Sequence, residues 1–188
     1  TQDQKKFIIA RGFLKKLLAQ YIETDPKKIE FEYGKNGKPH LKNNQNNITF
    51  NISHSKNIII YAIGNSQNLG IDIEYLKKLP EFTGLVKRFF SKKEATQFLE
   101  IPKTQQIKAF YKGWTSKEAY LKALGVGITK YLKHFTIDLD PKNEANLIES
   151  EIPIKNNIFN LQTLKIAPHY SATLAFENQD SKVLYKNF

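Results

Sequence analysis

Between Leu69 and Glu74 the sequence LGIDIE alternates between two faces, with Leu69, Ile71 and Ile73 on one and Gly70, Asp72 and Glu74 on the other. A period of two is that of a half-buried β-strand. It stands the carboxylates of Asp72 and Glu74 on the same face, about 7 Å apart at a rise of about 3.4 Å per residue. Carboxylates this close raise each other's pKa unless a cation lies between them. A strand end projecting both groups into water would satisfy the same pattern, and a third carboxylate distinguishes the two.

That third group is Glu118. A long helix is predicted from about Gln105 to Leu124, stopped by Gly125 and Gly127. Ile107, Tyr111, Trp114, Glu118, Leu121 and Gly125 recur at helical spacing, which sets Glu118 inside an apolar stripe. A lone carboxylate there must be protonated, paired or bound to a metal. Lys122 and Lys117 border the stripe. An intrahelical Glu118–Lys122 pair, worth roughly 0.2–0.5 kcal/mol, is the alternative to a ligand role.

The 188 residues, 40% of them hydrophobic, suffice for one large domain or two small ones. There is no cysteine and there are four scattered histidines, so neither a disulfide framework nor a zinc site is expected. No apolar run approaches a membrane span and no secretory signal is evident, which makes a cytoplasmic protein the expectation. Methionine is absent, position 1 included, and the natural product is expected to begin upstream. The net charge of +11 points to a polyanionic partner: nucleic acid, a phosphorylated cofactor or an acidic protein. Only Arg11 and Arg88 are available for bidentate reading of bases, which argues against sequence-specific DNA binding.

Along the chain, residues 3–22 read as an amphipathic helix broken at Asp25-Pro26, and Ile29–Tyr33 as a strand. Ile48–Ile52 alternates and ends in Ser53-His54-Ser55. With residues 57–63 and the central strand it reads as an antiparallel meander. No acid orients the Ser53-His54 pair, so a serine-hydrolase site is not supported. A helix after Pro80 runs through Phe90. Ser91-Lys92-Lys93-Glu94 then forms a capping box for the next one. Phe135–Asp140 carries a second acidic pair, Asp138 and Asp140, with no phosphate-binding group nearby. Residues 158–166 and 170–176 close the chain as an antiparallel pair. The order helix, strands, helices, strands appears twice. The expected class is therefore α+β, with two similar halves, residues 1–68 and 69–188, meeting near Leu69.

If Asp72, Glu74 and Glu118 converge, three oxygen donors suit a hard cation, Mg²⁺ before Zn²⁺. Mg²⁺ shares its shell with substrate phosphates, for which Lys117, Lys122, Lys38 and His54 are candidate partners. The residues alone thus reach a Mg²⁺-dependent enzyme acting on a phosphorylated, diphosphate substrate. A nuclease or phosphodiesterase using the same carboxylates, and a non-catalytic basic binding module, remain open beside it.

The blocks KKFIIARGFLKKLL, NGKP, FNISHS, LGIDIE, RFFSKKE and FYKGWTSKEAYLKALGVGI follow one another over roughly Lys5 to Asp140. In this order they resemble the 4′-phosphopantetheinyl transferases, in particular the Sfp-type branch. The resemblance implies transfer of the phosphopantetheine arm of coenzyme A to a serine of an acyl, peptidyl or aryl carrier protein, with release of 3′,5′-ADP. It implies that Asp72, Glu74 and Glu118 bind Mg²⁺ and that Glu118, or a metal-bound water, takes the serine proton. Glu94 matches an acidic position near the metal, and Lys122 a lysine that assists departure of the ADP.

For coenzyme A itself, the resemblance implies Lys117 and Lys122 at the phosphates, and Lys38, Ser53 and His54 at the nucleotide end. On the first helix, Lys6 stands where the family has an arginine at the 3′-phosphate, and Arg11 joins this group. The segment Gly125–Phe135 matches the region that contacts the acidic carrier. There Val126, Ile128, Tyr131, Leu132 and Phe135, flanked by Lys130 and Lys133, either meet the partner or pack in the core. A monomer is expected, with no nucleic-acid or membrane partner.

Overall fold

A computed structural model of the chain describes residues 2–65, 68–79, 81–153, 159–177 and 182–187; the side chains of residues 2–7, 128 and 129 lie outside the described part. The architecture is α+β. Helix α1 (Gln2–Tyr21) leads through a 3₁₀ turn at Pro26–Lys28, capped by Asp25, into the hairpin β1 (Phe31–Tyr33) and β2 (Pro39–Leu41). A second hairpin follows, β3 (Thr49–Ser55) with β4 (Ile58–Gly64), and then the strand β5 (Leu69–Tyr75). Three helices come next, α2 (Phe82–Phe89), α3 (Lys92–Glu100) and the long α4 (Lys103–Leu124). A short helix α5 (Ile128–Tyr131) precedes β6 (Phe135–Ile137), β7 (Leu147–Ser150), β8 (Phe159–Thr163) and β9 (Tyr170–Glu177). Pro80 and Ile158, which sequence reasoning placed at element boundaries, lie outside the described residues.

The expected meander does not form. β3 and β4 pair with each other, whereas β5 forms its ladder with β9, Asp72 opposite Thr173 and Glu74 opposite Ser171, in the order β5-β9-β8. The closing pair β8–β9 is antiparallel, as expected. The other edge of β5 is satisfied by side chains of β3. Asn51 Oδ1 accepts from Ile71 N at 2.9 Å, Ser53 Oγ from Ile73 N at 3.3 Å and Ser55 Oγ from Tyr75 N at 2.9 Å. The constant offset between partners means that β3 and β5 run parallel, held apart by the polar side chains that join them.

Helix α4 lies across this sheet and is buried on more than the single stripe read from its sequence. Phe110, Tyr111, Thr115, Ser116, Ala119, Tyr120, Leu121 and Ala123 are all enclosed. Its close approach to β5 requires Gly70, where a Cβ would stand 2.1 Å from Ala119 O and 2.3 Å from Ala123 N. Gly125, with φ +66°, ends the helix in the left-handed conformation, and its N–H returns to Lys122 O. Around this axis Tyr120, Leu121, Leu132, Phe135, Ile137 and Phe159 form one apolar core. A second, of Leu14, Leu18, Ile29, Leu41 and Phe50, packs α1 on the first strands.

Candidate active site

Asp72, Glu74, Glu118 and Lys122 meet where β5 crosses α4. Gly70 brings the two backbones together, and the period of two in β5 turns the next carboxylates of the same face toward α4. Glu118 and Lys122, one helical turn apart, flank the contact made by Ala119 and Ala123. Lys122 Nζ lies 2.7 Å from Asp72 Oδ1 and also donates to Ser53 Oγ and Ile71 O, each at 3.3 Å. The intrahelical Glu118–Lys122 pair that would account for both residues is not the contact Lys122 makes; its partner is across the junction.

Burial dominates the electrostatics. Asp72 is 4% exposed, and its carboxyl is raised by burial against the pull of Lys122 and the hydroxyl of Ser53. Glu74 is raised by burial and by the charge of Asp72, although Ser55 Oγ donates to its Oε2 at 3.0 Å. Glu118 is pushed up to about 7, first by burial and then by Asp72 and Glu74, with Lys122 opposing. Each of these acids is therefore held toward its protonated form, the response of carboxylates crowded together in low dielectric.

Among the described residues no three His, Cys, Asp or Glu side chains form a ready-made metal cage. The fit for a cation rests instead on one atom and on the donor set. Asp72 Oδ2 is buried without a hydrogen-bond partner, while Oδ1 holds Ser53 Oγ at 2.9 Å and Lys122. A buried carboxylate oxygen left unmatched is costly unless a cation reaches it. Oxygen donors from Asp72, Glu74 and Glu118 suit Mg²⁺ and not a soft metal.

The other candidate residues are distributed differently. Lys38, between β1 and β2, ties that hairpin to β5 and α4: its Nζ donates to Leu69 O and Ala123 O, each at 3.0 Å, and burial lowers its pKa to about 8. The hydroxyl of Ser53 is buried and engaged by Asp72, whereas His54 is exposed on the opposite face of β3. Arg11 lies over the rings of Phe31 and Tyr33, at 4.6 and 5.3 Å, and donates to the Tyr33 hydroxyl. The side chain of Lys6 lies outside the described residues.

Glu94 and Lys117 are placed away from this group. Glu94 forms the expected capping box with Ser91 and also accepts from Ile137 N at 2.8 Å. Lys117 Nζ lies 2.9 Å from Glu94 Oε1, with both side chains wholly enclosed, and donates to Leu132 O and Phe135 O. Burial pushes the Glu94 carboxyl up and the Lys117 ammonium down, against their mutual attraction. With no exposed surface, Lys117 does not present its charge to a phosphate here; the pair braces α3, α4 and β6.

The second acidic pair is likewise absorbed by the fold. Asp138 accepts from Gln97, Asn143 and Asp140 N and faces Lys112 at 3.9 Å, while Asp140 closes a turn on Lys142 N. In the segment after α4, Leu132 and Phe135 are core residues, Val126 and Tyr131 pack against that core, and Lys130 and Lys133 are exposed. Sequence reasoning passed over Asn51 and Ser55. The signal for them was the polar alternation Asn51, Ser53, Ser55 along a single face of a strand.

Comparison with known proteins converges on one group. The family model described as the 4'-phosphopantetheinyl transferase superfamily matches residues 68–175, and one described as 4'-phosphopantetheinyl transferase, N-terminal, matches residues 1–66. The 4'-phosphopantetheinyl transferase HetI of Nostoc sp. is 37% identical over 148 residues, 78% of this chain and 62% of HetI. A putative 4'-phosphopantetheinyl transferase of Synechocystis sp. is 35% identical over 68% of this chain and 52% of its own length. The 4'-phosphopantetheinyl transferase Sfp of Bacillus subtilis is 30% identical over 182 residues, 95% of this chain and 77% of Sfp. The chain thus spans 62% and 52% of the first two relatives. A solved holo-(acyl-carrier-protein) synthase from Bacillus anthracis, in complex with CoA (3',5'-ADP), is similar with a TM-score of 0.47 and 20% identity over 60% of this chain and 96% of that one, too slight a likeness to define a site.

Proposed function

The chain belongs to the 4′-phosphopantetheinyl transferase superfamily, and from that premise we propose that it moves the 4′-phosphopantetheine group of coenzyme A to a serine of an apo acyl- or peptidyl-carrier protein, with Mg²⁺, releasing 3′,5′-ADP. The observation that carries this reading is the buried, unpartnered Oδ2 of Asp72, on a carboxylate crowded by Glu74 and Glu118 and bridged to Lys122. Asp72, Glu74 and Glu118 would hold the ion. When bound, Mg²⁺ supplies neutralisation of the charge that grows on the pyrophosphate oxygens.

The chain's own groups account for the rest of the chemistry. The carrier serine oxygen forms the new bond to phosphorus, and the bond from that phosphorus to the bridging pyrophosphate oxygen breaks, its electron pair leaving with 3′,5′-ADP. Glu118, on the helix that faces the two acids of β5, takes the serine proton directly or through a water. Lys122, on the same junction, offers positive charge to the departing phosphate. Arg11, His54 and Lys6 are assigned to the nucleotide end of coenzyme A. Lys38 and Ser53 reach it only by giving up the bonds that tie them to Leu69, Ala123 and Asp72.

The protein acts as a cytoplasmic monomer in this reading, since the acidic group is assembled within one chain; among the described residues no helix is long and apolar enough to cross a membrane. The exposed Lys130 and Lys133 beside α4 suit an acidic carrier. The test is to incubate the protein with coenzyme A, Mg²⁺ and a panel of apo-carrier proteins and weigh the carriers. A mass gain of one phosphopantetheine on at least one carrier is expected. No gain across a broad panel rejects the reading.

A further inference from the structure

The strand β3 meets β5 through one motif used twice. Ser53 Oγ accepts from Ile73 N and donates to the carboxylate of the residue before it, Asp72, at 2.9 Å. Ser55 Oγ accepts from Tyr75 N at 2.9 Å and donates to the residue before that one, Glu74, at 3.0 Å. At the preceding step Asn51 Oδ1 accepts from Ile71 N, and the residue before Ile71 is Gly70, which has no side chain to orient. Each hydroxyl has one proton to give and lone pairs to receive. Anchored by a backbone N–H, it can aim that proton only at the neighbouring acid.

Ser53 also touches Lys122, and Asp72 has Lys122 as a second partner. Glu74 differs: among the described residues its carboxylate accepts one hydrogen bond, from Ser55. The half-buried side chain of Glu74 has several torsions to fix, and Ser55 is the group that fixes them. Neither the capping and charge patterns of the sequence nor the acidic pair itself points to Ser55.

We propose that Ser55 is a positioning residue, whose hydroxyl, locked on Tyr75 N, orients the Glu74 carboxylate for a divalent cation; this rests on the reading of Asp72, Glu74 and Glu118 as a cation site. Groups that orient a ligand govern affinity for the ion as well as turnover, by about 10–100-fold when removed.

The experiment is a titration of the full chain with Mn²⁺, followed by electron paramagnetic resonance of the free ion, for wild type, S55A, S55V and S55T. Valine and threonine have the same shape and both suit a strand, so S55V against S55T isolates the hydroxyl even where S55A does not fold. The expected result is weaker Mn²⁺ binding by about 10-fold or more in S55A and S55V, and near wild-type binding in S55T. In an E74A background, S55V is expected to add no further loss. A purely structural serine would lower the thermal midpoint and leave Mn²⁺ affinity of the folded protein unchanged. Equal affinity in S55V and S55T overturns the proposal while leaving the transfer reaction standing. Wild-type protein that binds no Mn²⁺ overturns both the cation site and the role of Ser55.

Discussion

The ammonium of Lys122 lies 2.7 Å from one oxygen of Asp72, and the other oxygen of that carboxylate is buried without a hydrogen-bond partner. One carboxylate is thus half neutralised from α4 and half open to a further positive group. Glu118, one helical turn before Lys122, is raised to about 7 first by burial and then by repulsion from the same acid. A single pair thereby couples the strand that supplies two acids to the helix that supplies the third.

Removing an acid from either side of this junction removes the proposed chemistry. Asp72→Ala and Glu118→Ala are each expected to lower carrier modification by about 10²-fold or more, the scale on which charge-stabilising groups act. The measurement is the rate of phosphopantetheine adduct formation by mass spectrometry. Full activity in either variant overturns the site assignment.

The raised Glu118 carboxyl also has a signature in stability. In the fold it keeps its proton up to about 7, whereas the unfolded chain releases it near the ordinary 4.5. Between these values the native state binds more protons than the unfolded one, so stability falls as pH rises through this window. The contribution is complete below 4.5 and lost above about 7. Urea unfolding of the metal-free protein at pH 5 and pH 8 is expected to show this decline, smaller in Glu118→Gln and smaller again with Mg²⁺ present. An identical decline in Glu118→Gln assigns it elsewhere.

Lys117→Met separates a brace from a phosphate contact. Because it leaves Glu94 buried and unpaired, it is expected to lower the unfolding free energy by about 3–5 kcal/mol. The double variant Glu94→Gln/Lys117→Met, which removes both charges, is expected to be the more stable of the two. Equilibrium denaturation measures both. A Lys117→Met protein of undiminished stability that has lost coenzyme A binding would return Lys117 to the phosphates.

Gly70→Ala tests the approach of α4 to β5. Its new Cβ meets backbone at 2.1 and 2.3 Å, which cannot yield as a flexible side chain would. An overpacking penalty of about 1–3 kcal/mol or more is expected, with loss of carrier modification as the acids of β5 and α4 are pushed apart. Gly64→Ala, where nothing lies within 4 Å, is the control and should be close to neutral in thermal denaturation.

Much of the site was legible in the chain because its signals are local. The alternation in LGIDIE is the strand Leu69–Tyr75, the spacing around Glu118 is a helix, and Ser91 and Glu94 form the capping box. The partners of these elements were not legible. β5 was expected beside β4, yet its ladder is with β9, about a hundred residues further on, and its free edge takes side chains of β3. The sequence places Lys117 beside the apolar stripe of α4 as a candidate phosphate partner and marks nothing at Lys112. Carbonyls of Asp140, Leu132 and Phe135, together with Glu94, draw them into the interior instead.

The sequence by itself determined which residues share a face, because side-chain direction repeats with the backbone of a single strand or helix and needs no distant partner. Two acids on one strand and a third amid apolar helix positions follow from that alone. Tertiary structure decided which charge answers which. Lys122 pairs across the junction and not along its helix, Lys117 seals Glu94 inside, and Asn51, Ser53 and Ser55 of β3 take up the edge of β5. Those choices depend on which donor finds which acceptor once water is excluded, a property of the packed interior and not of any segment.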